Sequence, residues 1–113
     1  MTTVTRAFAD RYVELVNTGE YDGLSLLFAQ DAVFLGPGER EMHGRDEIAA
    51  FYTAFLPELT PTIRLATFVE SGDTCVYELE ARLGDDPEYT LSAIDHATFD
   101  AHGLVVRFAV YTK

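Results

Sequence analysis

A chain of 113 residues is enough for one domain of ordinary size and too short for a catalytic core with a separate cofactor domain, which excludes two-domain dehydrogenases and kinases. Hydrophobic residues make up 48% of it and charged residues 24%, a balance that builds a packed core and excludes a disordered chain. Eight Lys and Arg against nineteen Asp and Glu give a net charge of −11, which repels nucleic-acid backbones and anionic membranes and favours neutral ligands.

Val4, Phe8, Tyr12, Leu15 and Val16 recur at helical spacing, so the segment from Val4 to Val16 is expected to be an amphipathic helix, stopped by Asn17-Thr18-Gly19. Glu20 to Phe28 reads as a second, short helix with Leu24, Leu27 and Phe28 on one side. Ala32 to Leu35 reads as a short strand closed by Gly36-Pro37-Gly38, and the segment through His43-Gly44 as the other arm of a hairpin. From Asp46 to Leu56, Ile48, Phe51, Tyr52 and Phe55 mark a third helix that should end before Pro57. After Pro61 the texture turns β-branched and aromatic, broken at Ser71-Gly72-Asp73, at Gly84-Asp85-Asp86-Pro87 and at Ala101-His102-Gly103, which predicts four strands in a meander. Helices first and strands afterwards predict one α+β domain over 1–113, with a curved antiparallel sheet wrapped over packed helices.

The lone Cys75 cannot close an intrachain disulfide, and no apolar run reaches the length of a signal-peptide core or a membrane span; the expected location is the cytoplasm. Cys75 alternates with Tyr77, Leu79 and Ala81 and reads as a buried structural thiol. His43, His96 and His102 lack zinc-ligand spacing, and adjacent Asp95 and His96 must point to opposite faces of a strand. Neither a metal nor a cofactor is expected. Ser25, Ser71 and Ser92 have no nucleophile-elbow context.

The informative positions are polar groups on apolar faces, where burial costs free energy unless a partner is found. In the strand expected over Glu88 to Phe99, alternation places Asp95 in one row with Tyr89, Leu91, Ala93, Ala97 and Phe99. A carboxyl there is desolvated, its pKa rises, and the protonated form becomes a hydrogen-bond donor; the competing reading pairs it with a backbone group or with Arg107. Tyr12 lies on the apolar stripe of the first helix and Tyr52 on that of the third. Each alone is an ordinary core tyrosine, whereas with Asp95 they could form one network of donors aimed into a pocket.

Arg11-Tyr12-Val13, Asn17, Gly19, Asp22-Gly23, Leu27-Phe28-Ala29 and Asp31-Ala32, followed by Gly44, Ile48, Phe51-Tyr52, Ile94-Asp95-His96, Phe99 and Val105-Val106, together resemble the bacterial ketosteroid isomerases (steroid Δ-isomerases) of the nuclear-transport-factor-2-like, SnoaL-like superfamily. The resemblance runs in order over nearly the whole chain. It implies a cone of three N-terminal helices in a strongly bent antiparallel sheet, a deep apolar pocket, and a homodimer formed through the outer sheet face. It also implies that Tyr12 and Asp95 form an oxyanion hole, with Asp95 protonated, and that Tyr52 supports Tyr12. A neutral aspartic acid is that family's known device; the phase of Asp95 is independent of it.

The pattern departs at one place. Where the isomerases carry a general-base aspartate before proline, this chain reads Ala32-Val33-Phe34-Leu35-Gly36-Pro37, so Gly36 takes the position of the base. Such a base contributes roughly 10²–10⁴ in rate. Glu39 is a candidate substitute, set against an ordinary solvated hairpin carboxylate. The expected function is a ketosteroid isomerase-like protein that binds a steroid-like carbonyl or phenolic ligand and stabilises its enolate, with its C=C shift impaired or altered. The alternatives are a SnoaL-like cyclase or lyase acting on a polyketide-type substrate, and a non-catalytic binder of hydrophobic ligands.

Overall fold

The computed structural model describes residues 2–112. Helix α1 spans Val4–Thr18. The Thr3 hydroxyl accepts from the Arg6 N–H at its start, and Gly19 ends it at φ 77°, a left-handed conformation that glycine adopts without penalty, with its N–H returned to the Leu15 and Val16 carbonyls. The second helix is a tight 3₁₀ helix, Tyr21–Leu27. Strand β1 (Phe28–Leu35), the short β2 (Glu41–His43) and helix α2 (Arg45–Leu59) follow. The meander consists of β3 (Pro61–Ser71), β4 (Thr74–Leu83), β5 (Leu91–Phe99) and β6 (Val105–Thr112).

All six strands form one sheet in the order β2-β1-β6-β5-β4-β3. The α+β architecture is as expected, with corrections. The sheet is mixed, because β1 runs parallel to β6 while every other neighbour is antiparallel. Only two helices precede the strands; α2 lies between β2 and β3. Strand β1 begins at Phe28 instead of Ala32, since Phe28 pairs with Val105, a contact invisible to local pattern. Strand β5 begins at Leu91, the partner of Ala81, instead of at Glu88.

Helix α2 continues through Pro57. A proline near a helix end forfeits a single backbone bond, and Thr53, whose carbonyl would have received it, is exposed to water. The helix stops two residues later, at Leu59, and Thr60 turns to φ 42°.

Irregularities between Leu65 and Thr67, and between Thr98 and Phe99, interrupt the ladders and bend the strands over the helices. Helix α1 packs on β3 and β4, and α2 on the 3₁₀ helix and β1. The core between them is aromatic: the Phe8 and Phe99 rings meet edge-on at 5.2 Å, and those of Phe28 and Phe108 at 5.4 Å, a favoured quadrupole arrangement. Phe108 is fully buried, and its truncation to alanine would cost about 3–5 kcal/mol. The Asn17 amide donates to the Ile63 carbonyl at 2.9 Å and accepts from its N–H at 2.8 Å, tying the end of α1 to β3. Among the described residues no helix is long and apolar enough to cross a membrane.

Candidate active site

The open end of the sheet holds a cleft of about 400 Å³. Tyr12 and Val16 of α1, Leu56 and Leu59 of α2, and Leu79, Asp95 and Val110 of the sheet are among its walls. Tyr12 reaches it because α1 turns Phe8, Tyr12, Leu15 and Val16 inward together. Tyr52 reaches Tyr12 because it lies one turn beyond the fully buried Ile48 on α2. The two hydroxyl oxygens are 2.9 Å apart and hydrogen-bonded. When Tyr12 donates to a ligand, Tyr52 is left to donate to Tyr12, which strengthens the outgoing bond. Burial holds both phenols well above their ordinary pKa, and the charge at Asp95 adds to this, so both stay protonated donors.

Asp95 is 2% exposed. Its strand alternates in and out as expected, with Asp95, Ala97 and Phe99 buried. Burial pushes its carboxyl up from 3.8 to about 7, so near neutral pH it is balanced between donor and anion. Arg107 is not its partner: it is exposed and lies opposite Thr98.

The residue that sequence reasoning left unassigned is Tyr77. It sits directly opposite Asp95 across β4 and β5 and is 1% exposed. Its hydroxyl is near enough to Asp95 to favour the carboxylate, opposing the effect of burial. It makes no hydrogen bond within normal limits, so the donor is unspent. Its inward phase was legible in the row Cys75, Tyr77, Leu79; its register against Asp95 was not. Cys75 is buried as expected, and burial pushes its thiol up to about 12, which makes it a poor nucleophile.

Gly36 follows β1 in extended backbone at φ −94° and ψ 175°, with its N–H bonded to the Arg40 carbonyl at 2.7 Å. A Cβ there would meet the Phe34 ring at 3.3 Å and the Arg40 Cβ at 3.7 Å. Gly36 borders a separate hollow beside Val110 and Thr112, two residues that also line the main cleft. Glu39 is exposed and does not border the cleft of Tyr12 and Asp95. Thus Tyr12, Tyr52 and Asp95 come together and Glu39 lies apart. Among the described residues no three His, Cys, Asp or Glu side chains converge as metal ligands.

Residues 9–108 match the SnoaL-like domain. The chain is 28% identical over 112 residues to a steroid Delta-isomerase of Nocardioides simplex, covering 98% of this chain and 91% of the relative. A Kribbella flavida protein provisionally described as a ketosteroid isomerase superposes with a TM-score of 0.82 at 20% identity, over 97% of this chain and 78% of the other. The epoxide hydrolase/cyclase-like enzyme SalBIII, of pyran ring formation in the polyether salinomycin, superposes with a TM-score of 0.79 at 20% identity, over 95% and 88%. By its match over most of its length, the chain belongs to the SnoaL-like domain family.

Proposed function

We propose that the protein binds a largely apolar carbonyl or phenolic ligand, steroid-like in size, and holds its oxyanion through Tyr12 and protonated Asp95, with Tyr52 supporting Tyr12. The observation that carries this reading is the burial of Asp95 in an apolar wall of the same cleft that Tyr12 lines. Two preorganised donors in a water-poor site stabilise charge developing on a carbonyl oxygen far better than water does. An enolate or a phenolate satisfies both.

The chemistry beyond binding turns on Gly36. With no side chain at that position, and with Glu39 exposed, proton shuttling between two carbons has no evident carrier. This favours, as a second reading, a cyclase- or lyase-like reaction whose proton acceptor belongs to the substrate, or ligand binding without turnover. Incubation with a 3-oxo-Δ5 steroid, followed by the absorbance of the conjugated ketone, separates these readings. Wild-type protein should give slow turnover or none, and Gly36→Asp should raise it by roughly 10²–10⁴. The extended backbone at Gly36 admits a side chain, provided the Phe34 ring shifts by a few tenths of an ångström. A folded Gly36→Asp protein that remains as slow as wild type would count against an intact oxyanion site.

A further inference from the structure

The cleft has a second lobe of about 350 Å³. It adjoins the first, and Tyr12, Leu56, Val110 and Thr112 line both. The walls differ in kind. The first lobe is mainly aliphatic away from Tyr12 and Asp95, whereas the second presents the rings of Phe34, Phe51, Tyr52 and Phe55. Phe51 and Phe55 stack at 5.3 Å and 16°, and Phe55 is 45% exposed although it is a large apolar side chain. Such a wall suits a flat ring.

Arg40 also lines this lobe, with its guanidinium carbon 5.5 Å from the centroid of the Phe51 ring. Its charge is unspent. Arg6, Arg11 and Arg64 each meet a carboxylate, and Arg45 donates to the Phe28 carbonyl; Arg82 and Arg107 meet no carboxylate among the described residues either, but neither lines the two lobes. Arg40 has no carboxylate partner among the described residues, although Glu39 and Glu41 flank it in sequence; Glu41 instead contacts His43, at 2.7 Å. In a chain of net charge −11, a cation left free beside an aromatic wall reverses locally the preference for neutral ligands. Its planar fork of N–H donors matches a carboxylate.

We propose that this lobe is a subsite for an anionic arm, and that the ligand is an aromatic or polycyclic molecule whose carbonyl or phenol lies at Tyr12 and Asp95 and whose carboxylate is held by Arg40. The proposal rests on the oxyanion reading of Tyr12 and Asp95 and adds the chemical class of the rest of the molecule. The stacked rings of Phe51 and Phe55 form one wall against which the ring of the ligand lies, and Arg40 sets which substituent is accepted at the rim.

Fluorescence titration with a naphthol, and with the hydroxynaphthoate that carries a carboxylate on its far ring, tests this on wild type, Arg40→Gln and Arg40→Glu. Arg40 is exposed, so neither substitution removes core packing. The proposal expects the carboxylate to bind about three- to tenfold more tightly than its neutral twin in wild type. That ratio should fall to about one in Arg40→Gln and invert in Arg40→Glu. If the naphthol binds and the carboxylate gains nothing, or if the gain survives Arg40→Gln, the anionic subsite is overturned while the oxyanion reading stands. If neither compound binds, both are overturned.

Discussion

Tyr77 and Asp95 face each other across β4 and β5, both buried, and the Tyr77 hydroxyl is the one buried side-chain polar atom without a hydrogen-bond partner among the described residues. An uncommitted donor beside a carboxyl favours its anion. The pair therefore sets how readily Asp95 keeps its proton.

Tyr77→Phe should accordingly raise the pKa of Asp95 above its value of about 7. An NMR titration of the Asp95 carboxyl carbon measures this directly. Since the hydroxyl is unpaired, its removal should change stability by less than about 1 kcal/mol. A lower Asp95 pKa in the variant, or a loss of several kcal/mol, would show that the hydroxyl is engaged elsewhere.

Asp95 also makes stability depend on pH. The folded protein keeps its proton up to about pH 7, whereas the unfolded chain releases it near 3.8. Over that interval the native state binds more protons, so the contribution of Asp95 is full below pH 4 and is lost as pH rises toward 7. At about 1.4 kcal/mol per unit the loss amounts to a few kcal/mol. Asp95→Asn should remove this slope, so that denaturant unfolding shows wild type losing stability relative to the variant between pH 4 and pH 7. The exposed Glu70 and the half-buried Asp100, whose pKa values are lowered, act in the opposite sense and are common to both proteins. Parallel pH profiles would exclude a buried, proton-retaining Asp95.

Much of this was legible in the sequence, and the divide is physical. The helical spacing of Phe8, Tyr12 and Leu15, and the strand phase of Asp95, are local periodicities imposed by burial, and both appear as read. What escaped depends on pairing between distant segments. Alternation assigns a face but not a register, so Tyr77 could be placed inward without being placed opposite Asp95. The start of β1 at Phe28 depends on a parallel partner more than seventy residues away, Val105. Pro57 misled because its penalty depends on how near the helix end it falls. Arg40 carried no local signal, since the ring beside it comes from α2.

The homodimer implied by the resemblance has a candidate surface in Ile94 and Tyr111, cross-strand partners on the outer sheet face that are 44% and 57% exposed. If that face joins two copies, Ile94→Glu should convert dimer to monomer in sedimentation equilibrium without loss of helical signal. A wild-type monomer, or a dimer unaffected by Ile94→Glu, would exclude this interface.

The central claim is that Tyr12 and Asp95 together hold an oxyanion. It is tested most directly by the affinity of a naphthol for wild type, Tyr12→Phe and Asp95→Leu, the last replacing the carboxyl with an apolar group of similar shape. Removing one buried donor to a charged oxygen should weaken binding about tenfold or more in each variant, with a smaller loss in Tyr52→Phe, which acts through Tyr12. Folded Tyr12→Phe and Asp95→Leu proteins that bind the phenol as tightly as wild type would contradict the account.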